Sequence, residues 1–451
     1  MQRRWSAQWV GRWSRERRPR LLRQYPREAS PWSAFLATSA PPPSRRQGSE
    51  PAIRVHCSPC QAGIYKPRAD PPGEFLTGAW SQTSGRLRTG ALPELLHDDL
   101  LMRFDFIWLR DHCRSDSSYN WKTNQRILDT ASVNLNIRPT DVRVDDSMVY
   151  LTWPDGHLTN YSLAWLMENS YEEQQRQPRC QTLWNAEIYK RAQVASTPYQ
   201  RLLDTEEGLK ELLANFLRYG IAFVDGVPPD EESTELVSRR VGLIRETFYG
   251  RSWFIANDYS REDVGFTDQA LDLHNDASNM QEPLGVLVFH CLEHSGAGGL
   301  SVLVDGFHAA EQVRQRNPEH FELLSTVPMR YEYTEKDNGI RMCADTPVLS
   351  VLPSTHLPYM IRYNNFDRCP INKVPHDVVR RWYASYQDFT REIRKPENKL
   401  TFKLNPGTIL FIDNWRMLHG REAFTGSRKL FGYFLFRDDI LNKARFLGLE
   451  A

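Results

Sequence analysis

The chain has 451 residues, nearly balanced charge (57 Lys and Arg against 56 Asp and Glu) and many aromatics: 13 Trp, 18 Tyr and 21 Phe. That length holds about two or three domains, and the charge balance gives no bulk case for a nucleic-acid partner. No run of about 18 apolar residues offers a membrane span, and seven scattered cysteines (57, 60, 113, 180, 291, 343, 369) suit a reducing compartment rather than a disulfide framework.

Residues 1–47 carry eleven Arg, no Lys and two acids, with Trp5, Trp9 and Trp13 four apart. On a helix those indoles share one face with arginines around it, the pattern of a mitochondrial transit peptide. The plainer alternatives are a basic tail or a misassigned first exon. Residues 40–78 are rich in Pro, Gly and Ser and read as linker. The single CxxC inside them, Cys57 to Cys60, is read as incidental rather than as a zinc motif.

The stretch "MVYLTWPDGHLTNYSL" (148–163) alternates on both sides of Pro154-Asp155-Gly156, which signals a hairpin. It belongs to a small β-rich unit ending near residue 180. Next, Leu209, Leu212, Leu213, Phe216 and Leu217 form one helical stripe, with Asp204 or Thr205 to cap it and Gly220 to end it. Beyond it β-type runs dominate: "IAFVDGV", "GVLVFHCL", "SVLVDGF", "LPYMIRYNN", "KLTFKLNPGTILFIDNW" and "KLFGYFLF". Helical interruptions such as "VVRRWYASYQDFTREI" are few. The sum argues for a mainly β sandwich or barrel. The expected domains are 1–78 (transit peptide and linker), 79–180 (small N-terminal β domain) and 181–451 (catalytic domain).

"LDLHNDASN" holds a His-x-Asp triplet, His274 to Asp276. With twelve His in the chain, such a triplet arises by chance about once; His97-Asp98-Asp99 is a second, near a linker boundary, and reads as solvated polar residues. Residues further along the chain separate the two. A non-haem Fe(II) oxygenase needs two imidazoles and a carboxylate on one face of the metal, the opposite face staying open. His419, in "FIDNWRMLHGREAF" after the strongest strand signal, can supply the third ligand. Arg428, at the start of the last strand, can meet the far carboxylate of a chelated 2-oxoglutarate with a bidentate guanidinium, and Ser301 can add a hydroxyl.

The stretches "WLRDHCRS", "TWPDGHLTNY", "LIRETFYGRSW", "LDLHNDASNMQEP", "IRYNNFDR", "PGTILFIDNWRMLHGRE" and "FRDDILNKARFLG" resemble the trimethyllysine and γ-butyrobetaine dioxygenase family from about Met102 onward. The resemblance implies a double-stranded β-helix (jelly-roll) catalytic domain behind a small N-terminal β domain, in a homodimer of the mitochondrial matrix. It implies Fe(II) on His274, Asp276 and His419, and 2-oxoglutarate on Arg428 with Arg421 as auxiliary. Dioxygen is the other cosubstrate and ascorbate the reductant. The implied reaction is hydroxylation of N6,N6,N6-trimethyllysine at C3 with release of succinate and CO2; γ-butyrobetaine hydroxylation and an inactive jelly-roll binding module are the alternatives.

A quaternary ammonium has no N–H, so ring faces must select it, at about 0.5–2 kcal/mol per contact. The family's cage carries over onto Tyr249, Trp253, Phe266 and Phe434, where ordinary core packing is the competing account. Phe266 and Phe434 stand where relatives have tyrosine, and residues 277–280 also depart. In the small domain, butyrobetaine-type enzymes bind zinc through cysteines and a histidine. Here Cys113 and His157 remain but Ser118 replaces a cysteine, so no zinc is expected. Asn364 and Asn365 are candidates for the substrate's α-amino and carboxylate groups.

Overall fold

Pro154-Asp155-Gly156 turns the chain as its composition demands. Met148–Thr152 and Leu158–Ser162 pair antiparallel, Val149 facing Tyr161, while Gly156 takes a left-handed φ of 80° and the Asp155 carboxylate accepts from the His157 N–H at 3.0 Å. This computed structural model describes residues 52–55, 94–95, 102–170, 181–256, 267–336 and 338–450. The transit segment, Cys57, Cys60, His97 and Phe266 lie outside them. The chain divides into two units, Met1–Ser170 and Tyr171–Ala451.

In the first unit the hairpin and Asp141–Val144 form a three-stranded sheet. The period-two pattern drives Val149 and Leu151 onto Phe104, Leu109, Trp153, Tyr161 and Leu166. Below this core the Cys113 thiol lies 3.2 Å from His157 Nε2, and Ser115 Oγ is 3.2 Å from the same nitrogen. Burial would raise the Cys113 pKa, but hydrogen bonds from His157, Ser115 and Thr159 prevail and lower it to about 6. Ser118 is buried.

In the second unit the expected helix spans Glu206–Tyr219, capped by Thr205 Oγ on the Gly208 N–H and closed by Gly220 at φ 75°. The strands are β1 (Thr197–Pro198), β2 (Ile221–Asp225), β3 (Trp253–Ile255), β4 (Leu271–His274), β5 (Val286–Ser295), β6 (Ser301–Asp305), β7 (Leu400–Phe402), β8 (Thr408–Asp413), β9 (Met417–Arg421) and β10 (Ser427–Leu435). They build a six-stranded sheet of order β3-β10-β5-β8-β2-β1 and a four-stranded sheet of order β4-β9-β6-β7, the two halves of a jelly roll. Leu287, Leu410, Ile412, Leu430 and Phe434 of the larger sheet join Leu303 and Leu400 of the smaller in one core.

Helices are more numerous than expected. "SVLVDGF" reads as one strand, yet β6 stops at Asp305, whose carboxylate caps a helix over Gly306–Arg316. Pro318–Thr326 and the 19-residue His376–Arg394 pack beside it around Phe307, Leu324, Trp382 and Phe389. The last of these is the helical stretch "VVRRWYASYQDFTREI" expected from the sequence; the two before it have helical period, but the β-rich surroundings mask it. The buried Asp305 also pairs with fully buried Arg416, Oδ2 to Nη2 at 2.7 Å. Arg416 further donates to the carbonyls of Arg218 at 2.9 Å and Thr182 at 2.5 Å.

Candidate active site

Strand pairing places the site. In the β4–β9 ladder His274 lies directly opposite His419, and β9 in turn sets His419 against Leu303 and Arg421 against Ser301 of β6. His419 follows the strong strand β8, as the sequence suggests, and lies mid-strand in β9. The two imidazole centroids are 4.3 Å apart. Asp276 comes next, in the turn after β4, with Oδ1 standing 3.2 Å from His274 Nε2 and 3.5 Å from His419 Nε2. Ligand atoms of all three lie within 4.8 Å of one another.

The turn is clamped from a distance. Asn414, after β8, accepts from the Asp276 N–H at 2.9 Å and donates to its carbonyl at 2.9 Å. Asn275 donates to the carbonyls of Asn414 and Met417, both at 2.8 Å, and accepts from the Tyr363 N–H at 3.0 Å. Ala277 takes a left-handed φ of 56°, a local strain that this network holds in place. Neither asparagine stands out in the sequence, though in "FIDNW" Asn414 directly follows the end of a strand.

The surroundings of His274 fix its tautomer. Its Nδ1 is 2.9 Å from the Asp272 carbonyl, which can only accept. Nδ1 therefore carries a proton, and Nε2 is the ring atom turned toward Asp276, the one a metal would take. The Asp272 carboxylate pairs with Arg394 at the end of the long helix. His419 Nδ1 has no hydrogen-bond partner among the described residues; its ring is held by His274 and by Phe289, whose centroid is 5.6 Å away. Burial pushes the His419 pKa down. Burial would raise that of Asp276, but His419 and His274 outweigh it and hold the carboxyl well below its usual range. Two imidazoles and an ionised carboxylate are a donor set that fits Fe(II).

A cavity of about 440 Å³ opens onto this cluster. Ser301, Arg421 and Arg428 line it together with Leu271, Leu303, Leu404, Leu410, Ile412 and Leu430. Arg428 is 5% exposed. Its Nε is buried without a hydrogen-bond partner among the described residues. Burial and the neighbouring Arg421 lower its pKa to about 10, so it stays charged at neutral pH. Arg421 instead donates to the carbonyls of Thr267 and Gln269, both at 2.7 Å. A buried cation without a protein anion is a standing free-energy cost; an incoming carboxylate removes it.

A row of rings leads away from His419. Phe289 meets Trp253 at 4.8 Å, Trp253 meets Phe434 at 6.1 Å, and Tyr249 lies 6.4 Å from Phe434 and 6.1 Å from Tyr333. Gly432 makes room for the indole: a Cβ there would sit 2.3 Å from Trp253. The expected rings Tyr249, Trp253 and Phe434 all line the cavity. Phe289 and Tyr333 join them unforeseen. Phe289 is part of the alternation in "GVLVFHCL", whereas Tyr333 lies on Met329–Glu335, a strand the sequence did not announce. Asn364 lines the cavity, but Asn365 does not: its amide donates to Tyr363 Oη at 3.1 Å and its carbonyl accepts from Tyr386 Oη at 2.8 Å.

A jelly roll with a His-Asp-His cluster facing a buried arginine defines the class: an Fe(II)- and 2-oxoglutarate-dependent dioxygenase. Comparison with known proteins agrees. Residues 157–434 match the model of the taurine catabolism dioxygenase TauD, TfdA family, and residues 95–167 that of the γ-butyrobetaine hydroxylase-like N-terminal domain. Mitochondrial trimethyllysine dioxygenase of Gallus gallus is 57% identical over 383 residues, covering 84% of this chain and 90% of the relative. Its Homo sapiens counterpart is 55% identical over 381 residues, covering 83% and 89%. The γ-butyrobetaine dioxygenase of Homo sapiens is 29% identical over 370 residues, covering 78% and 93%. The chain belongs to the trimethyllysine dioxygenase family.

Proposed function

We propose that this protein hydroxylates N6,N6,N6-trimethyllysine at C3 in the mitochondrial matrix, consuming 2-oxoglutarate and dioxygen and releasing succinate and CO2. The observation that carries the reading is the His274–Asp276–His419 cluster opening onto the same cavity as Arg428. Those three side chains hold Fe(II), and the bound iron supplies the redox chemistry for cleaving dioxygen and the C–H bond. Arg428 grips the far carboxylate of 2-oxoglutarate, with Ser301 adding a hydroxyl and Arg421 reinforcing the positive field. The leucines around them exclude water. Trp253, Tyr249 and Phe434 receive the trimethylammonium head on their ring faces; Phe266, the fourth ring the resemblance implies, lies outside the described residues. Ascorbate serves as reductant, the chain is a homodimer, and residues 79–180 form the small N-terminal domain before the catalytic jelly roll.

Identity favours this substrate over γ-butyrobetaine, at 57% against 29%. The test is aerobic turnover with each compound, succinate and hydroxylated product followed by mass. Trimethyllysine is expected to be consumed with one succinate formed per hydroxylation. Turnover of γ-butyrobetaine alone overturns the reading.

A further inference from the structure

The ring row runs past the rings the resemblance implies. Phe289 stands against His419 at one end, and ring contacts lead from it through Trp253 and Phe434 to Tyr249, and from Tyr249 to Tyr333. Resting on the function proposed above, we infer that Tyr333 closes the far end of this row as a ring face for the quaternary ammonium, and so sets the chain length of the substrate.

Covalent geometry makes the row a ruler. The reaction holds C3 at the His-Asp-His cluster, and C4, C5 and C6 carry the quaternary head away from it. A head one methylene short stops before the last ring; one methylene longer, it runs into that ring. Ring faces attract a cation only at close range, within about 6 Å of the centroid, so the last ring rewards one chain length and penalises its neighbours.

Tyr333 is held well enough to act as a stop. Its strand, Met329–Glu335, pairs with Ile340–Thr346 so that Tyr333 faces Met342. The strand's other edge is tied as well: the Glu332 N–H donates to the Asp367 carbonyl and the Cys369 N–H to the Arg330 carbonyl, both at 2.9 Å. Tyr331 adds a bond from its hydroxyl to the Arg362 carbonyl at 2.5 Å. A side chain on such a strand is positioned more firmly than one on a loop. The Tyr333 ring lies 5.4 Å from Phe248 at an interplanar angle of 31°, and Phe248 lies 4.0 Å from Tyr249. Tyr249 and Tyr333 line the cavity, and Phe248 backs them both. Ordinary core packing is the competing account. It suits Tyr331, on the same face of the strand and fully buried; Tyr333 is half-buried and lines the cavity.

The experiment measures kcat/KM for trimethyllysine and for its homologues one methylene shorter and one methylene longer, in the wild type, Tyr333→Leu and Tyr333→Phe. The wild type is expected to prefer trimethyllysine over each homologue by about tenfold or more. Tyr333→Leu should lose about 3- to 30-fold on trimethyllysine, chiefly through KM, change by less than about threefold on the shorter homologue, and gain on the longer one. Tyr333→Phe should keep the wild-type ranking, and the 2-oxoglutarate KM should hold in both variants. Equal losses on all three substrates, or a Tyr333→Phe that behaves like Tyr333→Leu, overturn the inference and leave the proposed function standing. So does a wild type that accepts the longer homologue as readily as trimethyllysine, a result that decides even where the variants do not fold. A wild type that hydroxylates γ-butyrobetaine and leaves trimethyllysine untouched contradicts the proposed function itself, and this inference with it.

Discussion

Arg428 is the residue whose surroundings say most about what the cavity takes. Its guanidinium is buried and charged and lines the cavity among leucines, so it suits the anionic ligand proposed above. Arg428→Lys keeps the charge but loses the planar fork; the 2-oxoglutarate KM should rise about tenfold or more, with the trimethyllysine KM little changed. An unaltered 2-oxoglutarate KM would move the cosubstrate elsewhere. Trp253→Leu should do the reverse, raising the trimethyllysine KM about 3- to 30-fold, the worth of one cation–π contact. Steady-state titration of each substrate against fixed excess of the other reads both. At this scale the metal triad was legible, because a triplet, a late His and an Arg in that order form a pattern. Asn414 was not. Its role depends on Asp276, 138 positions away, and nothing local distinguishes it from a loop residue.

Among the elements, β6 and the segment between β8 and β9 are joined by the buried Asp305–Arg416 pair, which also caps a helix and gathers the carbonyls of Arg218 and Thr182. Removing one partner strands the other charge in the core. Asp305→Ala should therefore lower unfolding free energy by about 3–5 kcal/mol, read from urea midpoints; a loss within error would show the pair to be incidental. A second effect belongs to β5. Thr234 gives its hydroxyl proton to the Asp230 carbonyl at 2.6 Å, so His290 Nδ1, 2.7 Å away, is the donor to Thr234. Burial lowers the His290 pKa from 6.5 to about 4. Between those values the unfolded chain binds the proton and the folded chain does not, so stability falls as pH drops through that window. Part of the fall in urea midpoint between pH 6.5 and pH 4 should vanish in His290→Leu; an identical pH profile would refute it. Most jelly-roll strands were legible from alternation, the 206–219 helix from its stripe and caps, and the 376–394 helix from the pattern of "VVRRWYASYQDFTREI". The helices over Gly306–Arg316 and Pro318–Thr326 were not, since a strand ending on a capping acid reads as a strand running on.

For the whole molecule, the jelly roll matters because two sheets bring β4, β9 and β10 to one cavity from positions far apart in sequence. The same arrangement separates a dicarboxylate end, a metal face and a ring-lined end, which is what an oxygenase acting on a quaternary amine requires. Light scattering of the intact protein should give twice the chain mass if the homodimer proposed above forms; the mass of a single chain would remove that part of the proposal. The central claim is that His274, Asp276 and His419 bind one ferrous ion beside an anchored keto acid. Anaerobic titration of the protein with Fe(II) in the presence of 2-oxoglutarate, followed by visible absorbance, tests it most directly. The account predicts a weak metal-to-ligand band that saturates at one iron per chain and is absent in His419→Ala. No band in the wild type, or a band of full strength in the variant, would contradict it.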